Sequence, residues 1–379
     1  MKILAIICEF NPFHNGHKYL MDKAREQSGC DAVICIMSGC FTQRGEMCFN
    51  DKFQRAKHAV SSGADAVLEL PVPFAVAPAE IFAKGAVKII SSIPEASVLA
   101  FGHESGCKQE FLDAARILNG ESELFKTTLE RSLSEGESYI KSYCAAFSAC
   151  GADGQLLSSP NNILAIEYVK ALLKCGKDID ILPIKRVGAE YGDEKLYGNF
   201  SSASAIRANF GSAAIKDNMP PYSYADFAAA KDNSKRFEQL AADWLYLCDK
   251  NDLKRVYGCS EGLENRLKAL SFGGSYDKIV EEGASKRYSK SRIKRILAAN
   301  LLNLYADETE EFLAADLQSN VLAVKKERAD EILPLLSVKP VESDAAKKCA
   351  ELNSRAYALW RHLNSPLKCD NPNEKMILV

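Results

Sequence analysis

Apolar residues along this chain occur in two patterns, short continuous runs and longer segments with helical spacing. Five runs are mainly apolar and are flanked by glycine, proline or polar residues, which is typical of buried strands in a parallel sheet. These predicted strands cover residues 2–8, 31–37, 65–70, 97–101 and 179–187. Segments between them, such as 51–62 and 79–91, have the spacing of amphipathic helices. The alternation predicts an α/β fold with a doubly wound parallel sheet.

From about residue 222 onward the strand-like runs fade and helical periodicity dominates. The clearest helical segments are 237–250, 261–270, 275–282 and 290–304. Met219, Pro220 and Pro221 stand at the change, and such proline pairs commonly mark a boundary. We therefore predict an α/β domain over residues 1–215, with a helical insertion at about 105–155, and a mainly helical C-terminal domain over 222–379. Segment 317–324 fits either a strand or a small appended subdomain.

The most informative stretch lies between the first strand and the first helix and reads EFNPFHNGH, from Glu9 to His17. A helix N-terminus attracts anions through its unpaired N–H groups and its dipole. His14 and His17 add donors that are either neutral or cationic near pH 7. This combination suits the binding of a triphosphate and the stabilisation of charge at the α-phosphate as pyrophosphate leaves.

Two other interpretations of these histidines are weaker. A zinc site is disfavoured, because the i, i+4 spacing of helical zinc ligands is absent and no CxxC or nearby acidic ligand completes a set. Ordinary loop histidines are the remaining alternative. The strand–turn–helix context at the start of an α/β chain favours phosphate chemistry instead.

The string HNGH resembles the HxGH signature of a nucleotidyltransferase superfamily whose members bind ATP across a Rossmann-like sheet. The longer string EFNPFHNGHKYL is similar to that of the bacterial tRNA(Met) cytidine acetate ligases, the TmcAL family. MSGCFTQRGE followed by DKFQRA resembles a second signature of that family. Gln43 and Arg44 in this second signature face acetate, the phosphates or RNA, or belong to a solvated loop.

The resemblance implies a set of ATP contacts spread along the α/β domain. His14 and His17 are the expected catalytic residues. Gly102 follows a strand, Arg186 ends one, and Asn161 and Asn162 open a helix, with Asn162 slightly favoured over Asn161. Ser202, Ser204 and Arg207 resemble the S-S/T-x-I-R element that holds the outer phosphates. The full expected set is Ile7, Cys8, Glu9, Phe10, Asn11, Pro12, Phe13, His14, Asn15, Gly16, His17, Lys18, Gly102, Asn161, Asn162, Arg186, Ser202, Ser204 and Arg207.

One basic stretch stands out in a chain whose formal net charge is −2. Between Ser285 and Arg295 six residues are Lys or Arg and none is acidic, which suggests a contact to a phosphate backbone. The expected tRNA-binding residues are Lys286, Arg287, Tyr288, Lys290, Arg292, Lys294 and Arg295, with Tyr288 able to stack on a base. A solvated basic helix face is the plain alternative. A third interpretation is a weak resemblance of Tyr288-Ser289-Lys290-Ser291 to the lysine loop of class I synthetases.

The composition indicates the redox compartment and argues against a membrane span. The thirteen cysteines are odd in number and irregularly spaced, and several lie inside apolar runs, so we expect free thiols in a reducing cytoplasm. The first strand begins at residue 2 without a signal-peptide pattern, and no apolar run approaches the roughly 20 residues of a membrane span. We expect no membrane association and no stable protein partner.

The resemblance implies a two-step reaction. ATP and acetate give acetyl-adenylate, and the acetyl group then passes to N4 of the wobble cytidine of elongator tRNA(Met). ATP is a co-substrate, and Mg²⁺ is expected without a dedicated protein cage or other metal site. Two alternatives stay open, a small-molecule adenylyltransferase of the same superfamily and a non-catalytic, nucleotide-binding RNA adaptor.

Overall fold

A seven-stranded sheet forms the centre of the computed structural model, which describes residues 1–120, 122–188, 195–285, 287–316, 319–336, 343–364 and 376–379. The strands are β1 (Ile3–Cys8), β2 (Ala32–Ser38), β3 (Ala66–Leu70), β4 (Ala96–His103), β5 (Asp180–Lys185), β6 (Val321–Val324) and β7 (Ile377–Leu378). Their spatial order is β5-β4-β1-β2-β3-β6-β7. The first five are parallel, and β6 runs antiparallel to β3. The predicted doubly wound sheet is confirmed, and its five predicted strands lie within two residues of their expected ends.

Helices occupy most of the remaining described chain. In the first half they are α1 (Asn15–Ser28), α2 (Lys52–Ser61), α3 (Val72–Ala75), α4 (Ala79–Ser92), α5 (Lys108–Gly120), α6 (Glu123–Ser134), α7 (Tyr139–Ala149), α8 (Pro160–Cys175) and α9 (Ala203–Ala208). In the second half they are α10 (Pro221–Ala229), α11 (Ser234–Leu247), α12 (Lys250–Arg255), α13 (Leu263–Ser271), α14 (Tyr276–Gly283), α15 (Lys290–Leu302), α16 (Ala306–Ala314), α17 (Ala329–Leu336) and α18 (Asp344–Asn364). Short 3₁₀ segments cover Gly154–Leu157, Ala213–Asn218 and Lys326–Arg328. No helix within the described ranges is both long and apolar enough to cross a bilayer.

The sheet is buried on both faces, which explains why its strands are continuous apolar runs rather than alternating ones. Every residue of β1 is buried. Successive β1 side chains point to opposite faces, so Ile3, Ala5 and Ile7 belong to one hydrophobic cluster with α4 and α8. Leu4, Ile6 and Cys8 belong to a second cluster with α1 and α2.

The C-terminal half returns to the sheet after a run of helices. Residues of α11, α13, α14 and α15 share the larger hydrophobic cluster, and β6 then adds to the edge of the sheet beside β3. The strand alternative for segment 317–324 is confirmed at Val321–Val324. Because this half contributes two strands to the sheet, the boundary of an independent domain over 222–379 stays a prediction.

The chain order creates a crevice at one edge of the strands. From β1 the chain builds outward through β2 and β3, then crosses back to place β4 and β5 on the other side of β1. The connections leaving the carboxyl ends of β1 and β4 therefore diverge, and open α/β sheets bind ligands at such a point. The HNGH motif begins directly beyond β1, so the fold delivers it to this crevice.

Candidate active site

A cleft of about 220 Å³ opens at the carboxyl ends of β1, β4 and β5. Thirteen of the nineteen expected ATP contacts line it. They are Ile7, Cys8, Glu9, Phe10, Asn11, His14, His17, Gly102, Asn161, Arg186, Ser202, Ser204 and Arg207. The structure thus brings residues from five separated segments of the α/β half into one concave surface.

The two histidines are held by backbone N–H groups at the start of α1. His14 is the N-cap of this helix, and its Nδ1 accepts a hydrogen bond of 3.0 Å from the Gly16 N–H. His17 Nδ1 accepts one of 3.3 Å from the His14 N–H, which completes a capping box. A side chain at position 16 would come within 2.8 Å of the His14 ring, so this close approach requires glycine.

These hydrogen bonds decide how the histidines meet a ligand. Because both Nδ1 atoms accept, each neutral ring carries its proton on Nε2, a tautomer assigned from the network. Burial, together with the Arg186 and Arg207 charges, lowers the pKa of His14 to about 3. Burial, His14 and Arg186 likewise hold the pKa of His17 well below its usual range. Near pH 7 the pair therefore offers two neutral N–H donors.

Arg207 approaches the same cleft from α9. Its guanidinium donates to the Asn11 carbonyl at 2.7 Å and to the Glu46 carboxylate at 3.3 Å, so it ties α9 to the turn after β1. Ser202 is the N-cap of α9 and accepts from the Ala205 N–H at 3.0 Å. Its hydroxyl caps the helix and also lines the cleft, as does Ser204.

The far wall of the cleft comes from β4, β5 and the start of α8. Arg186 follows β5 and lies 3.9 Å from the Glu104 carboxylate. Asn161 hydrogen-bonds the same carboxylate and faces the cleft. Asn162 is fully buried, and its amide is used by Glu104 N–H and by Ser105. The geometry therefore favours Asn161, the less favoured of the two in the sequence analysis, as the residue available to a ligand.

The other expected ATP contacts lie away from the main cleft. Phe13 is buried in the hydrophobic cluster beneath the motif, and Lys18 pairs with Asp22 at 2.7 Å on the exposed face of α1. Asn15 donates to the carbonyls of Asn199 and Asp217. Gly16 lines a small adjoining cavity of about 40 Å³, and Pro12 lines neither. These residues shape the motif, and a direct contact with ATP stays a prediction for each.

The second signature supplies one wall of the cleft and the brace behind it. Thr42, Arg44 and Glu46 line the cleft, whereas Gln43 turns inward and donates through Nε2 to the Ala77 carbonyl at 3.0 Å. Arg55 is fully buried. It donates to the carbonyls of Glu9 at 2.6 Å and Ser38 at 3.1 Å and to that of Gly39, which fixes the ends of β1 and β2 together.

Sequence reasoning missed Glu46 and the apolar wall of the cleft. Glu46 accepts from both Arg207 and Lys294, at 3.3 and 3.0 Å. Burial raises its pKa, but the charges of Arg207, Lys294 and Arg44 outweigh burial and leave the pKa below its ordinary value. The apolar wall consists of Leu20, Phe82, Phe101, Leu164 and Tyr168. The acidic residue inside an otherwise basic signature was the available signal for Glu46.

The basic stretch divides into an outer and an inner part. Arg287 and Lys290 are exposed and pair with Glu261 at 2.8 Å and Glu281 at 2.6 Å. Lys286 lies outside the described residues. Tyr288 is buried and donates its hydroxyl to Glu261 at 3.0 Å, with the Arg292 guanidinium 4.8 Å from its ring centroid. A nucleobase has no access to that ring in this structure.

The inner part of the stretch contacts the cleft wall instead of solvent. Lys294 pairs with Glu46, and Arg295 donates to the Gln43 carbonyl at 3.3 Å. Gly45 has a positive φ of 72°, and a side chain there would meet the Lys294 carbonyl at 2.7 Å. The segment 42–46 is therefore packed directly on α15. Lys294 and Arg295 are engaged by the segment 42–46, so their side chains are less available to tRNA. Their contact with tRNA stays a prediction.

The family comparison covers almost the whole chain. Residues 1–361 match the HIGH Nucleotidyl Transferase family. A tRNA(Met) cytidine acetate ligase of Acetivibrio thermocellus is 37% identical over 328 residues, which are 82% of this chain and 79% of that protein. The enzyme of the same name from Clostridium perfringens is 38% identical over 324 residues, 81% of this chain and 80% of that protein.

Solved structures agree with the sequence relatives. The apo crystal structure of Thermotoga maritima TmcAL superposes with a TM-score of 0.90 at 29% identity, covering 100% of both chains. A second form of TmcAL, bound with alpha-thio ATP, gives a TM-score of 0.87 at 28% identity, again over 100% of both chains. The fold and the named relatives thus support the same family assignment.

Proposed function

This chain belongs to the HIGH nucleotidyltransferase family, among the tRNA(Met) cytidine acetate ligases, and from that premise we propose that it ligates acetate to tRNA. The reaction is ATP-dependent, runs through acetyl-adenylate and forms N4-acetylcytidine at the wobble position of elongator tRNA(Met). We place this activity in the cytoplasm. The observation that carries the proposal is the pair of neutral histidine N–H donors beside Arg186 and Arg207 in the cleft.

Adenylation requires charge stabilisation rather than a base. An acetate oxygen attacks the α-phosphorus of ATP, a new P–O bond forms, and pyrophosphate leaves with the electrons of the broken bond. Acetate is ionised at neutral pH, so no proton has to be removed. His14 and His17 donate from Nε2 to the α-phosphate as negative charge grows, and Arg207 and Arg186 offset the charge of the departing phosphates. The apolar wall provides the surface that a purine base needs.

Magnesium fits this site only as an ion carried by the phosphates. No group of three His, Cys, Asp or Glu side chains arranged for a metal occurs in the part of the chain that the structure describes. Glu46, a carboxylate in the lining of the cleft, is already engaged by Arg207 and Lys294. We propose that the phosphates of ATP supply the main ligands of any Mg²⁺ that accompanies the nucleotide.

The acceptor tRNA approaches from the side of α15. A cavity of about 250 Å³ shares Glu46 and Arg207 with the ATP cleft and extends to Lys294 and Tyr276. The exposed cations are Lys290, the first residue of α15, and Arg287, which precedes this helix. Phosphate contacts of this kind position a nucleic acid without reading its sequence. The cavity and these exposed cations together support the binding of a tRNA whose unstacked cytidine reaches the adenylate.

Acetate-dependent exchange of labelled pyrophosphate into ATP, measured without tRNA, tests the first half of the proposal. We expect exchange that depends on acetate and stops in a His14→Ala, His17→Ala double variant. Addition of tRNA should then consume the adenylate and release AMP. Exchange that ignores acetate but responds to another small acceptor would support a cofactor-making adenylyltransferase instead. ATP binding without any exchange would support a nucleotide-binding adaptor.

A further inference from the structure

Glu9, a half-buried carboxylate of the cleft, has no role in the adenylation chemistry described above. Glu9 follows β1 and lines the cavity that must accept two anions, acetate and ATP. Burial raises the pKa of Glu9 and the Glu46 charge raises it as well, while the Gln43 N–H and the charges of Arg207 and Arg44 act in the opposite direction. A carboxylate repels the anions acetate and ATP, so it does not favour their binding. It could instead accept a proton in the second half-reaction, the transfer of the acetyl group to tRNA.

The Glu9 side chain is held with one oxygen unused. Its Oε1 accepts from the Gln43 N–H at 2.6 Å and from the Ser38 hydroxyl at 3.4 Å. Its backbone carbonyl accepts from Arg55 at 2.6 Å, so the residue is fixed at both ends. Among the described residues no side chain or backbone group hydrogen-bonds Oε2. A fixed carboxylate with one open oxygen is the arrangement expected of a positioned base.

The other titratable groups of the cleft are poorly suited to accept a proton. His14 and His17 present Nε2–H to the ligand and keep their lone pairs on Nδ1, turned toward the backbone. Glu46 is ionised but engaged by Arg207 and Lys294, which weakens it as a base. Burial holds the pKa of Cys8 and that of Tyr168 well above their usual ranges, so neither becomes an anion near neutral pH.

Asn11, on the same turn, carries an unpaired donor that is a candidate contact for the acyl group. Asn11 is buried and lines the cleft, and its Oδ1 accepts from the Phe49 N–H at 3.0 Å. Its Nδ2 has no hydrogen-bond partner among the described residues. An unpaired buried donor is costly unless a ligand supplies an acceptor atom. The acyl oxygen of acetate or of the adenylate is a candidate for this atom, and Glu9 lines the same cleft.

We propose that Glu9 is the catalytic base of the transfer half-reaction and takes the proton that the cytidine N4 amine loses. This inference rests on the proposed function. The N4 lone pair attacks the acyl carbon and a C–N bond forms. The C–O bond to the phosphate breaks, and AMP leaves with its electrons. One N4 proton passes to Glu9 Oε2, so atoms and charge balance without another reactant.

The test separates the two half-reactions in a Glu9→Gln variant. Glutamine keeps the shape and an oxygen for the Gln43 N–H but is no base. Because Glu9 lines the ATP cleft, the readout is the ratio of the two rates: single-turnover acetyl transfer to tRNA should fall ~100-fold more than acetate-dependent pyrophosphate exchange. Glu80→Gln, which removes a surface carboxylate paired with Lys84, is the matched control and should change neither rate.

The pH profile gives a second readout. Transfer in the unaltered protein should rise with pH as Glu9 ionises and level off above its raised pKa, and Glu9→Gln should lack this rise. Glu9→Asp keeps a carboxylate, so it should retain the rise at a lower rate, and it replaces Glu9→Gln if the latter does not fold. The charged or titratable groups around Glu9 are Arg44, Arg55, Arg207, Glu46, Cys8, Cys48 and Tyr168, with His14 and His17 in the same cleft. Exchange measured over the same pH range reports the histidines separately.

Two results would overturn the inference. Equal losses of exchange and transfer in Glu9→Gln would make Glu9 part of the ATP or acetate site. An unchanged transfer rate would remove it from the chemistry. If the unaltered protein itself shows no acetate-dependent exchange, the proposed function fails and this outcome is visible before any variant is compared.

Discussion

The HNGH cleft and the basic stretch from Arg287 to Arg295 are both rich in potential anion contacts. Their side chains converge in the cleft but diverge in the basic stretch. In the cleft, the expected catalytic pair His14 and His17 lie side by side, with ring centroids 3.8 Å apart, and both face the cavity. In the basic stretch, neighbouring cations diverge. Arg287 stays in solvent, whereas Lys294 and Arg295 brace the segment 42–46.

The difference lies in what each pattern constrains. A strand, a tight turn and a helix N-terminus fix backbone N–H groups, so a motif at that point has one geometry. A run of lysines and arginines fixes no geometry, because long side chains choose between solvent and any nearby acceptor. The motif therefore predicts a site, whereas the charge run predicts only that cations are available.

The largest effect expected from this comparison concerns the two imidazole donors. His14→Ala or His17→Ala should lower acetate-dependent pyrophosphate exchange by ~100-fold to ~1,000-fold, the usual cost of removing a donor to a developing oxyanion. Exchange rates at saturating ATP are the measurement. His362→Ala, at an exposed position near the end of α18, is the control and should leave exchange intact. Near-normal exchange in both cleft variants would remove the pair from the mechanism.

The contact between the cleft wall and α15 should have the next largest effect. Gly45→Ala introduces a side chain 2.7 Å from the Lys294 carbonyl, whereas Gly136→Ala has a similar positive φ and nothing within 4 Å. The first variant should therefore be less stable than the second by roughly 1–3 kcal/mol, the usual cost of overpacking. Denaturant unfolding of both variants measures the difference. Equal stabilities would show that segment 42–46 moves freely on the helix.

A smaller effect separates the two parts of the basic stretch. Arg287→Ala with Lys290→Ala should weaken tRNA binding ~10-fold and reduce the slope of log affinity against log salt by about 1.5, as expected for two lost phosphate contacts. Thermal stability and pyrophosphate exchange should not change. Binding titrations at several salt concentrations provide the test, and an unchanged slope would place the phosphate contacts elsewhere.

The smallest effect expected is the pH dependence of stability. The pKa of His14 is about 3 in the folded protein, below the ordinary value of a histidine, so the unfolded chain binds protons first as pH falls. The free energy of unfolding should therefore fall from about pH 6.5 downward, as the unfolded chain takes up protons. His14→Gln should lose about 1 kcal/mol less between pH 6.5 and 5.5. Parallel curves for the two proteins would argue against a buried, neutral His14.

How far the sequence predicts this molecule depends on the kind of interaction involved. Periodicity located β1 to β5 because burial on both faces demands continuous apolar runs. The role of Arg55 was not predictable, because the Glu9, Ser38 and Gly39 carbonyls that it contacts belong to segments that meet only in the folded sheet. The same holds for Asn161 and Asn162, adjacent residues at a helix start of which only one faces the cleft.

The protonation states of the site residues could not be predicted from the sequence either. The motif left open whether the histidines are neutral or cationic, and the answer came from which ring nitrogen the backbone occupies. Glu9 was expected among the ATP contacts because it lies within the motif. Its place in the cleft and its single open oxygen suggest a different role, and these are tertiary properties.

The central claim is that one cleft activates acetate and passes it to RNA, and labelled acetate tests this most directly. The protein is incubated with ATP, labelled acetate and bulk tRNA, and the recovered tRNA is digested to nucleosides. The account predicts label in N4-acetylcytidine, dependent on ATP and absent in the His14→Ala, His17→Ala double variant. Unlabelled RNA, together with pyrophosphate release to a different small acceptor, would contradict it.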